Sequence, residues 1–206
     1  MSFISNTYNF IYQIICGKHP NINLLHFQFL VHKDIYKDLK INLPKLKGKV
    51  LDVGCGEKPY EPWFLSANTY IGIDIYQGSK VDVVVETSKD WPFETGYFDA
   101  VICTQVFEHT VDLDSVLSEI HRVLKPGGQL LVSVPFIYNE HGSPDDYRRF
   151  STHGLNNLLS DKFEIIDLKP QGGIGSTLCT LLLNYIEVSC NRYKLTRILK
   201  GLMLPV

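Results

Sequence analysis

At 206 residues, with 45% hydrophobic and 20% charged side chains, the chain has the material for one globular domain with a buried core and modest additions. A net charge of −2 gives no bulk electrostatic basis for nucleic-acid binding, and no nucleic-acid partner is expected. Five cysteines, an odd set without a C-x-x-C pair, predict reduced thiols in a cytoplasmic protein rather than a disulfide framework.

Along the chain, Phe3-Ile4 and Phe10-Ile11 are broken up by polar residues and lack a basic leader, unlike a signal peptide. Residues 1–47 read as an aromatic-rich helical cap in two pieces, split near Gly17 and Pro20. Residues 48–170 then alternate between two periodicities. Strands are expected at 49–53, 69–74, 81–85, 98–103, 129–134 and 163–168, and helices around 60–66, 112–124 and 151–160. In the second helix Val116, Leu117, Ile120, Val123 and Leu124 fall at helical spacing, and Lys125-Pro126-Gly127-Gly128 stops it. This alternation predicts an α/β fold: a Rossmann-like, doubly wound, mainly parallel sheet with helices on both faces. Residues 171–206 read as a C-terminal helical extension of the same domain. Its longest apolar run, Ile174 to Ile186, carries Asn184 and is too short for a membrane span. Beyond it, Leu195, Ile198, Leu199, Leu202 and Met203 alternate with Arg192, Lys194, Arg197 and Lys200, a basic amphipathic helix. Core packing, a homodimer contact, or peripheral docking at the inner membrane face are the roles open to it.

The chemistry concentrates at Val50-Leu51-Asp52-Val53-Gly54-Cys55-Gly56 and at Asp74, which ends the next apolar run. A buried strand breaking into Gly-x-Gly brings backbone closer to a ligand than any side chain permits. An acid about 20 residues on, at a strand's carboxyl end, can accept from both hydroxyls of a ribose. An adenosine-like cofactor is implied. A dinucleotide fingerprint needs a third glycine, where Pro59 stands, and no G-K-[ST] marks a P-loop. A nicotinamide-dependent oxidoreductase is therefore the weaker alternative, with a non-catalytic scaffold as a further one.

In order, Leu51–Gly56, Asp74, Asp90-Trp91-Pro92-Phe93-Glu94 before Phe98-Asp99, Glu108-His109, and Arg122-Val123-Leu124-Lys125-Pro126-Gly127-Gly128 resemble the motifs of class I S-adenosylmethionine-dependent methyltransferases, type 11 group. The resemblance implies S-adenosyl-L-methionine as cofactor, held by Asp52, Gly54, Cys55, Gly56, Asp74, Ile75, Glu86, Thr87, Thr104 and Gln105. Lys58 stands where the family often has a third glycine. The family's sheet usually closes with a seventh, antiparallel strand; here it is expected to be missing or replaced by C-terminal helices.

After the fifth strand, Val134 to Ser151 resembles the P-x-x-x-x-H-x-x-P-x-D-Y-x-R segment of type 11 enzymes of polysaccharide and cell-envelope biosynthesis. It implies a small-molecule or glycan-type acceptor methylated at oxygen. His141 is the candidate general base, because imidazole titrates near neutral pH. His109, Asp146, Tyr147 and Arg148 are candidate acceptor contacts; bracing of the loop is the alternative for each of them and for His141. Asp145-Asp146 without other ligands is a poor cation site, so no metal is expected.

Overall fold

The two N-terminal helices form as α1 (Phe3–Cys16) and α2 (Phe29–Asn42) in the computed structural model, which describes residues 3–86 and 89–192. Between them Gly17–Lys18 pairs antiparallel with Asn21–Ile22. Gly17 stops α1 because its backbone is left-handed (φ +84°) and a Cβ there would lie 2.2 Å from the Asn21 carbonyl oxygen. The chain divides into two compact units, residues 38–170 and residues 1–37 with 171–206. In the second of these, His19 bonds the Tyr36 hydroxyl and Gln28, with the His26 and His32 rings edge-on to it. Burial, with the charge of His19, pushes His26 and His32 down to about 4.

The larger unit is built on a five-stranded sheet: β1 (Gly48–Val53), β2 (Ala67–Asp74), β3 (Val83–Val84), β4 (Phe98–Thr104) and β5 (Leu124–Ser133). Strand order is β3-β2-β1-β4-β5 and every pairing is parallel. The central strands are buried on both faces, which is why Val50, Leu51, Val101 and Ile102 form unbroken apolar runs. Helix α3 (Leu113–Val123) connects β4 to β5. Asp112 caps it by accepting from the Ser115 amide at 3.1 Å, and Val116, Leu117, Ile120 and Val123 drive its inner face into the core. Helix α4 (Thr152–Ser160) starts on Ser151, whose hydroxyl accepts from the Gly154 amide.

Three expected elements differ. The helix at 60–66 is only a 3-10 turn, Glu61–Trp63, because Pro59 and Pro62 leave the short crossover no amide ladder. The strand at 81–85 shrinks to Val83–Val84 at the sheet edge. Residues 163–166 keep the strand's alternation, with Phe163 and Ile165 against the core and Ile166 85% exposed, and Leu168 breaks it by packing inward one residue late. They form no ladder, for a groove of about 1160 Å³ separates them from β5. Among the described residues no strand runs antiparallel to the sheet. The last helix, α5, covers Ile174–Arg192; the basic stretch from Leu195 to Met203 lies outside the described residues, as does Thr87. No described helix is long and apolar enough to cross a membrane.

One ion pair ties α3 to the segment before β4. Glu119 accepts from the Trp91 amide at 2.7 Å and from Arg122, whose guanidinium also donates to the Trp91 and Phe93 carbonyls. The Arg122 bonds hold the Glu119 carboxyl below its ordinary range, against the effect of burial. The pair therefore stabilises the fold above the unfolded carboxyl value, about 4.3, and loses that contribution as pH falls through and below it. Glu119→Ala should lower the unfolding free energy by about 3 kcal/mol in urea titrations at neutral pH. Glu119→Gln should flatten the acid limb of stability against pH.

Candidate functional site

The carboxyl ends of β1, β2 and β4 open into a cavity of about 450 Å³ lined by Gly54, Asp74, Ile75, Trp91, Gln105 and His109 among others. The turn after β1 forms its floor. Gly54 (φ +70°) lets the chain leave the sheet beneath Val106, whose Cγ2 would lie 2.4 Å from an added Cβ. Gly56 (φ +49°) has open space where a Cβ would point. Its amide donates to Asp74 Oδ2 at 3.1 Å, and the Tyr76 amide donates to Oδ1 at 3.1 Å. Both carboxylate oxygens are thus aimed by backbone and keep lone pairs for a ligand.

Not every motif residue faces the cavity. Asp52 is buried behind it, takes the Tyr70 hydroxyl, and is raised to about 7 by burial, with Tyr70 and Lys58 acting the other way. Cys55 packs beneath Gly72, and burial with surrounding carboxylates raises its thiol to about 12, leaving it inert. Lys58, in the place of a third glycine, keeps a left-handed backbone (φ +50°) and turns its amine inward onto Asp82 and the Tyr70 ring. Glu86 is exposed in an ion pair with Lys89 and is not brought to the cavity. Thr104, at the end of β4, meets the Tyr60 hydroxyl. Gln105 does line the cavity, and its left-handed backbone (φ +54°) is a strained conformation for a non-glycine residue, tied down by bonds to Ser133.

The far wall comes from the short 3-10 turn Phe107–His109 and the loop after β5. His109 Nδ1 meets the Asp145 carbonyl oxygen; since that oxygen can only accept, Nδ1 donates. His141 lies edge-on to His109, ring centroids 4.8 Å apart, with Nδ1 3.3 Å from the Asn139 carbonyl and 3.4 Å from Asp146. Desolvation outweighs Asp146 and lowers the His141 pKa. Asp146 itself is sealed under the loop, clamped by both Arg149 nitrogens at 2.5 and 2.7 Å and taking the His141 amide. Arg149 holds its carboxyl well below the usual carboxylate range. Arg148 donates to the carbonyls of Thr110 and Val111, and Tyr147 to Asp145. Asp146 and Arg148 therefore brace the loop, and neither they nor Tyr147 and His141 are among the residues that line the cavity. Sequence reasoning missed Tyr76, which reaches Asp145 across the mouth at 3.4 Å, and gave no role to Trp91, although it stands inside a quoted motif. It also gave no role of its own to Glu108, quoted in the Glu108-His109 pair, which is fully buried with neither carboxylate oxygen hydrogen-bonded to another residue.

Residues 51–132 match the family described as "Methyltransferase domain". Among curated proteins, the ubiquinone biosynthesis O-methyltransferase of Pseudomonas syringae pv. tomato is 36% identical over 100 residues, 41% of this chain and 43% of that protein. The chain spans about half or less of the curated relatives it matches. Among solved structures, the [4+2]-cyclase SpnF superposes with a TM-score of 0.57 at 23% identity, covering 84% of this chain and 75% of that one. A Burkholderia thailandensis 1,6-didemethyltoxoflavin-N1-methyltransferase, solved with S-adenosylhomocysteine, gives 0.57 at 18% identity over 73% of this chain and 79% of its own. At these identities the likeness is one of fold, and it bears out the Rossmann-like sheet.

Replacing Arg149 by Met leaves Asp146 charged and unpaired beneath the loop. Stability should fall by about 3 kcal/mol, and hydrogen exchange should rise over residues 139–149 before it rises in β1 and β4.

Proposed function

We propose that this methyltransferase-domain chain transfers a methyl group from S-adenosylmethionine to oxygen of a small-molecule or glycan-type acceptor. The observation that carries the reading is Asp74: a carboxylate aimed by two backbone amides into the cavity beside a turn that is bare at Gly56. Such a group fits a ribose diol, and Ile75, Trp91 and Val85 supply an apolar wall for an adenine.

The crossover after the glycine turn separates this donor from a dinucleotide. A pyrophosphate needs a helix N-terminus after the turn, with its unpaired amides and positive dipole end. Residues 57–66 offer only the 3-10 turn Glu61–Trp63. A sulfonium donor carries no phosphate and loses nothing by this. The [4+2]-cyclase among the fold neighbours has another reaction on the same sheet, so the fold by itself does not carry the chemistry.

When bound, the cofactor supplies an electrophilic methyl on a sulfonium. The protein's contribution is alignment: a fixed line between donor and acceptor is worth roughly 7–11 kcal/mol in favourable cases. Asp74 fixes one end of that line, and His109 with the loop Gly142–Asp145 forms the wall where an acceptor would sit. His109 lines that wall with His141 edge-on to it, ring centroids 4.8 Å apart, and these two imidazoles are the candidate bases for an acceptor hydroxyl.

Calorimetry with S-adenosylhomocysteine and with NADH tests the reading. Binding of the first and no heat from the second is expected. Asp74→Ala should weaken S-adenosylhomocysteine about 100-fold, as removal of two hydrogen bonds to a charged acceptor predicts. NADH binding without S-adenosylhomocysteine binding would overturn it.

A further inference from the structure

A carboxylate in a protein interior is normally paired, because leaving it unpartnered costs several kcal/mol. Glu108 breaks that rule: it is fully buried, and no other residue donates to either oxygen. The nearest charges do not form a contact ion pair with it, since Arg149 is committed to Asp146 and to the Tyr138 and Asn139 carbonyls. What stands beside Glu108 instead is a pair of imidazoles. One ligand atom each from Glu108, His109 and His141 lies within 4.8 Å of the other two.

Both rings have outer partners of the kind that metal-ligating histidines have. His109 spends Nδ1–H on the Asp145 carbonyl, and His141 points Nδ1 at the Asn139 carbonyl and the Asp146 carboxylate. A ligating histidine characteristically donates its other nitrogen to such a carbonyl or carboxylate, which fixes the tautomer and frees Nε2. The outer groups are themselves fixed, Asp146 by the two-pronged Arg149 contact. Gly142 adds a steric reason for the arrangement: a Cβ there would come within 3.1 Å of the His109 ring.

We propose that Glu108, His109 and His141 bind a divalent first-row transition cation, zinc foremost, which presents its open positions to the acceptor oxygen at the cavity wall. Two imidazoles and one carboxylate are a borderline-soft set that suits Zn²⁺, Fe²⁺ or Co²⁺ and leaves positions free. Neighbouring ligands of a tetrahedral zinc sit roughly 3.3 Å apart, so the cluster closes by a side-chain movement at His141, which stands on a loop. The cation neutralises Glu108. This departs from the expectation of no metal, which weighed only Asp145 and Asp146.

The inference deepens the methyltransferase reading and rests on it for its substrate class: an acceptor whose hydroxyl oxygen coordinates the cation. Coordination acidifies that hydroxyl, and its proton leaves to solvent. The oxygen lone pair then forms the O–CH₃ bond while the C–S bond's electrons return to sulfur, leaving neutral S-adenosylhomocysteine. His141 becomes a ligand rather than a lone general base.

The test uses the full chain after exhaustive chelation, titrated with Co²⁺ and followed by its visible absorption, with Zn²⁺ as competitor. One Co²⁺ per chain, displaced by Zn²⁺, with both ions raising the melting temperature, is the expected result. Glu108→Gln and His141→Ala should each weaken Co²⁺ by more than about 100-fold while S-adenosylhomocysteine affinity stays within twofold. His141 is partly exposed on a loop, so its variant keeps the measurement interpretable if Glu108→Gln unfolds. Absence of Co²⁺ and Zn²⁺ binding in a chain that binds S-adenosylhomocysteine would overturn the metal site and leave the methyltransferase reading standing. Metal binding without S-adenosylhomocysteine binding would sink that reading and keep the site. Co²⁺ binding unchanged in His141→Ala would overturn the assigned ligands.

Discussion

The architecture hangs on one close approach. Where β1 ends, the chain must swing out of the sheet with Val106 of the neighbouring crossover resting on its backbone. Only a residue with no Cβ and access to left-handed φ satisfies both demands, and Gly54 does. Because all five strands are parallel, the same edge of the sheet also delivers Asp74 from β2 and Gln105 from β4. Topology brings these residues together, and the glycine turn leaves them room.

The parts of this arrangement that sequence exposes are those set by local chemistry. Strands β1 and β4 and the second half of β2 are legible because both faces are largely shielded and apolar runs cannot hide. Helix α3 was legible because its cap and its apolar stripe agree. Gly54, Asp74, Ile75, Gln105 and His109 were named and do line the cavity. What sequence blurred is direction. Asp52 and Cys55 belong to the same motif as Gly54, yet neither lines the cavity: Asp52 leaves β1 on the side opposite Val53 and takes the Tyr70 hydroxyl, and Cys55, past the strand, packs under Gly72. Glu86 sits two residues past a strand that is only two residues long, too brief to aim it. The segment 163–166 has the right period for a strand, but pairing depends on an edge being within reach.

Burial is the property least visible from sequence, and it separates residues of identical type. Glu119 and Glu108 both lie near α3, and both are nearly or wholly buried. Glu119 has Arg122 one helical turn away, a spacing that sequence shows. Glu108 precedes a histidine, which by composition alone resembles any polar pair on a loop. Only the fold reveals that the first is satisfied and the second is not. The same holds for the acceptor loop, where Asp146 and Arg148 look like recognition groups until their partners within the loop are counted.

Lys58 carries a consequence of its own. Its amine is joined to Asp82, and Asp82 also takes the Gly72 amide at 2.7 Å, so the glycine turn, the middle of β2 and the approach to β3 are linked in one small cluster. A third glycine in that position would leave the turn free to sample many conformations before a ligand arrived, and binding would carry the entropy of ordering it. With a lysine anchor that entropy is lost during folding instead. The turn meets its ligand already shaped, and association there involves docking more than rearrangement.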